Sequence, residues 1–415
     1  MVKQKARRAD VAPAAVIVPD RREGAVVSLW LGVAFFISLL AGFIILKTPG
    51  ATIAGNELSA ERAAFTTLNA GTLTGFQHAT SLDLLGGSGK FALWMLTIVG
   101  TLFALVAGGL AVVRVASMPF SDRQVITGTI TWYALSVFAG TALLADPTRP
   151  LLTATMQALS AFGNSGIVFG SLPGPADWRT HLVLLGLATL GGLSVPVLLD
   201  VSGAIFGRHR VTKHTSVVLA MTGLVYLLGL AACIPWQSIT WSKQESWTSA
   251  VAMGSILSID SRTAGLPLVS LAALTRVGQW LLVVLMIIGA APGSAAGGLK
   301  VTTLYALASG TRRVLRGGIV PRIVGVAALW LGVYTTLVLA SYLCLLAFQP
   351  ELPADRLLFI AISAISCVGL SQDPISMTGG GLAVVCTAMF LGRILPVALL
   401  WWTATAFPNS EIAVG

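Results

Sequence analysis

Four short peptides decide how this chain is read. They are Thr72-Leu73-Thr74-Gly75-Phe76, Phe162-Gly163-Asn164-Ser165-Gly166-Ile167, Ser261-Arg262-Thr263-Ala264-Gly265-Leu266 and Ser366-Cys367-Val368-Gly369-Leu370. Their glycines, Gly75, Gly166, Gly265 and Gly369, are separated by 91, 99 and 104 residues. Each peptide closes a moderately apolar stretch, near 58–73, 150–165, 246–262 and 353–368. These stretches are too short to cross a bilayer, which takes about 20 apolar residues in a helix, and they suit re-entrant helices. Long apolar runs flank each one. The unit is therefore span, short helix, glycine peptide, span, and it occurs four times. Helix packing would explain any one such glycine. Four in register, at so long a period, mark an internal repeat.

Composition places the repeat in a membrane. Of 415 residues, 55% are hydrophobic and 10% charged, with a mean hydropathy of +0.86. Soluble domains carry about 25% charged residues, and so few charges could not cover a water-exposed surface. Eight runs are long enough to span, near 26–48, 90–113, 125–145, 181–206, 214–236, 276–309, 322–348 and 380–406. The run 276–309 is too long and too rich in glycine for one simple helix. The first run is too long for a signal-peptide core of about 7–15 residues and is expected to be a retained helix. The fold class expected is all-α, with four tandem units around one pore. The units are pore repeats over 26–114, 115–206, 207–310 and 311–406, between a basic tail, 1–25, and a short tail, 407–415.

The net charge of +10 reflects topology, not nucleic-acid binding. Fifteen Lys and Arg fall in the N-terminal tail and the loops near 114–123, 207–213 and 310–322. Eight fall in the opposite loops: Arg62, Lys90, Arg149, Arg179, Lys243, Arg262, Arg276 and Arg356. The positive-inside rule then puts both termini in the cytoplasm. The acids Glu57, Glu61, Asp83, Asp146, Asp177, Glu245, Asp260, Glu351, Asp355 and Asp373 lie on the outer side, where a negative face would concentrate cations.

No constellation for hydrolysis or redox chemistry is present. Cys233, Cys344, Cys367 and Cys386 have no C-x-x-C pairing and read as small core residues. His78, His181, His209 and His214 fall at segment ends and read as interfacial. Gly86-Gly87-Ser88-Gly89-Lys90 lacks the first glycine and the final hydroxyl of a phosphate-binding loop, since positions 84 and 91 are Leu84 and Phe91; it reads as a flexible turn. An ATP-driven pump would need a large polar domain, and no stretch is long enough.

The glycine peptides suit potassium. A dehydrated potassium ion needs a cage of oxygens, which rings of backbone carbonyls provide. Glycine allows the backbone to turn successive carbonyls inward and leaves the pore open. A short helix aiming its C-terminal end at the ion adds partial negative charge. The expected filter residues are Leu73, Thr74, Gly75, Asn164, Ser165, Gly166, Thr263, Ala264, Gly265, Cys367, Val368 and Gly369. Ala291-Pro292-Gly293-Ser294-Ala295-Ala296-Gly297-Gly298 should break its helix. Lys300 and Arg393 are cations at membrane depth, where charge is costly and functional; Lys300 has snorkelling as its alternative. Asp200 either pairs with a cation or faces cytoplasmic water.

These peptides resemble the pore loops of the Trk/Ktr/HKT superfamily of potassium transporters. The stretches 191–200, 213–215, 287–303 and 389–396 resemble it as well, so that the likeness covers the chain from residue 26 onward. It departs at Asn164 and Ser165, in a loop that often holds paired asparagines, and at Cys367, where threonine or serine is usual. The resemblance implies potassium preference from Gly75, since members with serine there are often sodium-permeable. It also implies a flexible intramembrane gate formed by Gly293, Ser294, Gly297, Gly298, Lys300 and Arg393. A homodimer with one pore per protomer, a cytosolic ring of nucleotide-sensing subunits and no cofactor beyond transported K⁺ are implied too. A sodium-permeable or ion-coupled symporter of the same fold, or a broken-helix secondary transporter, is the alternative.

Overall fold

The computed structural model describes residues 21–53, 57–79, 81–240, 247–406 and 412–414. Among these residues the chain is helical, with isolated bridges in place of strands. The first unit contains α1 (Arg21–Leu46), the short α2 (Ala60–Gly71) and α3 (Gly87–Val115). The second contains α4 (Asp122–Leu144), the short α5 (Leu151–Gly163) and a bent pair, α6 (Leu185–Gly192) and α7 (Val195–Ile205). The third contains α8 (Lys213–Thr240), the short α9 (Trp247–Asp260), α10 (Arg276–Ile287) and α11 (Val301–Leu315). The fourth contains α12 (Arg322–Phe348), the short α13 (Ala354–Ile365) and α14 (Gly379–Ala406). This is the expected four-fold succession of helix, pore loop and helix around one pore. The tail cations Lys3, Lys5, Arg7 and Arg8, together with Lys243 and Glu245, lie outside the described residues.

Among the described residues, six helices are long and apolar enough to cross a membrane. The run 181–206, expected as one span, is a pair bent by 103°. Gly191, Gly192 and Ser194 explain the break: Ser194 has a φ of +68°, and Pro196 stands in the first turn of the new helix. The run 276–309 is interrupted between Ile287 and Val301, as its glycines suggested. Gly86 to Lys90 is not a flexible turn; Gly87 starts α3.

Apolar packing forms two large clusters, one drawn mainly from the first two units and one mainly from the third and fourth, with Ile256 of α9 joining the first and Phe65 of α2 the second. The opposite surface is apolar too: Trp30, Phe36, Phe138, Leu182, Leu227 and Leu343 are exposed. In water such a surface would be untenable; facing acyl chains it is ordinary. Cys344, expected inside, is on this outer surface, while Cys233 and Cys367 are buried. His214 is buried rather than interfacial, while His78 is half-buried.

Candidate pore, filter and intramembrane loop

The four short helices end at the glycine peptides, and three end in the same way. Leu73, Asn164 and Cys367 adopt positive φ, of 57°, 52° and 47°. The following N–H groups, of Thr74, Ser165 and Val368, return to the carbonyls of Asn69, Ser160 and Ser363 at 3.0 Å each. This is a Schellman cap, which normally takes glycine at the left-handed residue. Here glycine is reserved for the position two residues later. Gly75, Gly166, Gly265 and Gly369 have φ of +84°, +62°, +56° and +80°.

These four glycines meet in a closed ring. A Cβ on Gly75 would strike the backbone of Ser165 and Gly166. One on Gly166 would lie 2.9 Å from Gly265 O and 2.9 Å from Gly75 Cα. One on Gly265 would collide with Val368 O, and one on Gly369 with Thr74 O. Each repeat thus touches the next, and the fourth touches the first. All twelve expected filter residues are buried at this ring. Cys367 turns its thiol away from it, towards Met389 O at 3.5 Å.

Side chains at the helix ends hold the outer ends of the peptides. Asn69 Oδ1 accepts the Phe76 N–H at 2.8 Å, and its amide donates to Phe76 O at 2.9 Å and to His78 Nε2 at 3.0 Å. Asp260 Oδ1 accepts the Leu266 N–H at 2.8 Å. Asp260 is therefore no outer-loop acid. Asp146 and Asp177 pair with Arg179, Asp146 also with Arg149, and Asp373 with Arg356. Three of the acids expected on the outer side are thus matched by arginines expected on the same side. The Thr148 hydroxyl, with Arg149 and Arg179, holds the Asp146 carboxyl below its usual range.

A second set of glycines went unnoticed in the sequence. A Cβ on Gly100, Gly191 or Gly392 would collide with the carbonyl oxygen of Gly71, Phe162 or Ile365, each four residues before a filter glycine. They follow Gly75, Gly166 and Gly369 by 25, 25 and 23 residues. That offset was the available signal. These glycines let the helix after each glycine peptide lie directly against the end of its short helix.

Beneath the ring, residues 288–300 form an irregular loop that touches all four repeats. Gly293 packs backbone to backbone on Gly108 of α3. The Ala291 and Ala295 N–H groups donate to Gly192 O and Gly191 O at the bend, at 3.0 and 3.2 Å. Three buried cations satisfy the loop carbonyls. Arg393 donates to Ala295 O at 2.6 Å and to Thr72 O at 2.7 Å, with Leu73 O at 3.5 Å. Lys300 donates to Ala296 O at 2.6 Å and Gly297 O at 3.3 Å, and so does not snorkel to the surface. Arg262 donates to Ile288 O at 3.3 Å and Gly289 O at 3.1 Å. Sequence reasoning placed Arg262 among the outer-loop cations; it is 3% exposed. Its removal from that count leaves the charge asymmetry stronger.

The six expected gate residues therefore belong to one region. Gly293, Ser294, Gly297, Lys300 and Arg393 line a cavity of about 10 Å³, the space of about one water probe. Gly298 is in the same loop, with a φ of +69°. Asp200 is buried, and accepts from the Thr212 N–H and hydroxyl at 2.9 and 2.7 Å. His209 Nδ1 is 3.5 Å from it. Open cytoplasmic water is thus ruled out as its environment.

With this geometry in place, the chain's relatives can be stated. Residues 125–409 match the family described as TrkH, cation transport protein. The chain belongs to that family of transporters. Ktr system potassium uptake protein B of Vibrio alginolyticus is similar at 26% identity, over 91% of both chains. The potassium/sodium uptake protein NtpJ of Enterococcus hirae is 24% identical, over 88% of this chain and 90% of that one. The potassium transporter TrkH from Vibrio parahaemolyticus has the same fold, with a TM-score of 0.70 at 16% identity, covering 96% of this chain and 86% of that structure.

Proposed function

We propose that this protein takes up potassium across the cell membrane through the four-glycine ring, under control of the 288–300 loop. The closed ring of positive-φ glycines carries the reading. The ring excludes side chains and leaves backbone oxygens as the groups that replace an ion's hydration shell. Leu73, Thr74, Asn164, Ser165, Thr263, Ala264, Cys367 and Val368 supply the peptide planes beside Gly75, Gly166, Gly265 and Gly369. The C-terminal ends of α2, α5, α9 and α13 face the same point and favour a cation. The similar proteins named for potassium uptake support the choice of ion.

The gate is the loop bearing Gly293, Ser294, Gly297 and Gly298, latched by Lys300 and Arg393. Its support is the crossing from Gly108 to Arg393 beneath the filter, where two positive charges also oppose a cation's passage. Both termini are cytoplasmic, and basic inner loops face the headgroups of membrane lipids. The assembly is a homodimer, one pore per protomer, on a cytosolic nucleotide-sensing ring. Sodium permeation is the second reading, favoured by the similarity to a protein named for potassium and sodium uptake.

The test is potassium and sodium uptake in cells lacking their own potassium uptake systems. Wild-type protein should restore growth at low potassium. Gly75→Ser should lower the potassium-to-sodium ratio, because a side chain there crowds Ser165 and Gly166. An unchanged ratio after substitution at all four glycines would remove the filter assignment.

A further inference from the structure

One repeat breaks the pattern of the other three. Between Asp260 and Gly265 no residue adopts positive φ. The N–H groups of Ala264 and Gly265 both turn back to Asp260 O, at 3.2 Å each. α9 thus ends without the Schellman cap that closes α2, α5 and α13. What this altered ending holds is Arg262. It stands three residues before the filter glycine, the place of Thr72, Gly163 and Ser366 in the other repeats. Its guanidinium points away from the ring and donates to Ile288 O and Gly289 O. Those are the first two carbonyls of the interrupted segment, which belongs to the same repeat.

A second guanidinium makes a matching connection. Arg393 joins Thr72 O and Leu73 O, beside the first filter peptide, to Ala295 O in the loop. The ring runs in the order first, second, third, fourth. The first and third peptides are therefore opposite walls of the cage. The loop is tied to both walls, at its start through Arg262 and near its middle through Arg393.

We propose that Arg262 is a positioning residue that yokes the third filter peptide to the intramembrane loop, so that loop movement and filter geometry change together. This rests on the filter and gate reading given above and goes beyond it: ion selectivity becomes a property of the gate's position. The physical reason is that neither partner can let go cheaply. Ile288 and Gly289 have no other donor for these carbonyls among the described hydrogen bonds, and a buried guanidinium cut off from its acceptors is strongly disfavoured. A loop that swings aside must carry the Arg262 head group with it. Arg262 is three residues from Gly265, and Gly265 is held against Val368 O with no slack. A shift at Arg262 is thus delivered to the cage wall.

The experiment uses the full chain, purified and reconstituted in liposomes. Potassium and sodium flux are measured per folded protein, for the intact loop and for a loop-shortened variant lacking residues 293–296. Arg262→Gln in the intact protein should raise basal potassium flux about tenfold, from loss of a charge-assisted pair of hydrogen bonds. It should lower the potassium-to-sodium ratio at the same time. In the loop-shortened background the same substitution should change the ratio far less, because the yoke has no load; non-additivity is the signature of a shared element. Arg262→Lys keeps the charge but holds its three donors on one nitrogen instead of a fork, and should give a smaller version of both effects. It carries the same two-background comparison should Arg262→Gln not fold.

A ratio change of equal size in both backgrounds would overturn the proposal, since Arg262 would then act on the filter alone. So would normal flux and ratio in Arg262→Gln, or a loss of flux with no change in ratio, which marks a purely structural role. Gly75→Ser run alongside separates the two readings. If it shifts the ratio while Arg262 variants do not, the filter stands and the yoke fails. If it too leaves the ratio unchanged, the filter reading itself is at fault.

Discussion

Gly265→Ala should abolish uptake, and the structure separates its two costs. The first is backbone strain. A φ of +56° is left-handed, and an L-residue there costs about 1–2 kcal/mol. The second is collision. The new Cβ would fall inside contact distance of Val368 O, and Val368 is pinned by its N–H to Ser363 O at 3.0 Å. Forcing a methyl into such a place costs about 1–3 kcal/mol. The sum is roughly 2–5 kcal/mol, spent directly on the cage. Gly50 supplies the control. Its φ is +85°, but a Cβ there has nothing within 4 Å. Gly50→Ala should carry the strain term alone and leave uptake near normal. Thermal unfolding in detergent and potassium uptake per folded protein measure the two effects. If Gly265→Ala resembled Gly50→Ala in both, the close ring would not describe the working filter.

Three other outcomes follow from the same geometry. Shortening 293–296 should raise potassium flux without activator, and Arg393→Ala should do likewise, with the double change less than additive. A purely structural Arg393 would instead give less folded protein and no rise in flux per molecule. Reporter fusions at Gly415 and in the loop near Asp177 should report opposite sides of the membrane; the same side would contradict the positive-inside assignment. Asn69→Ala leaves the Phe76 N–H and C=O without partners, costing about 1–3 kcal/mol. It should lower the potassium-to-sodium ratio while the conservative Asn69→Asp, which keeps the acceptor, lowers it less.

Much of the fold was legible because its signals are local or periodic. The four short helices lie within two or three residues of the stretches read from hydropathy, and the break after Ile287 was written in Pro292 and its glycines. The bend at Ser194 was not legible. Leu185 to Ile205 stays strongly apolar on average despite Thr189, Ser194 and Asp200, and hydropathy cannot distinguish a straight span from one turned through 103°. Arg262 was misplaced for a related reason. Counting charges by loop assumes that a cation near an outer connection faces water. Its true environment depends on carbonyls at Ile288 and Gly289, some 26 residues away, which no local pattern reveals. Asp260 was misplaced by the same assumption. Gly100, Gly191 and Gly392 could have been found, since their offset from the filter glycines is nearly constant. Among 44 glycines that offset stood out only once the glycine ring was seen.

The loop also explains why cations sit where the sequence made them seem improbable. An irregular segment at membrane depth has carbonyls that no helix satisfies, and each unpaired one is expensive. Bonds within the protein backbone account for Ile287, Ala290 and Leu299, through Leu299 N, Val301 N and Gly289 N. Ile288, Gly289, Ala295, Ala296 and Gly297 are answered instead by Arg262, Arg393 and Lys300. An apolar residue in any of these places would leave carbonyls bare, and a neutral amide would reach fewer of them than a guanidinium with its five donors. The same choice makes the closed state conditional. If the loop gates the pore as proposed, then on moving into a wetted pore it would pass its carbonyls to water and the permeating ion, so that open and closed forms would both keep their polar groups satisfied. A segment whose hydrogen bonds were all internal would have no such second arrangement. On the proposed reading, the cost of burying three positive charges beside a cation path is what gives the loop two stable positions instead of one.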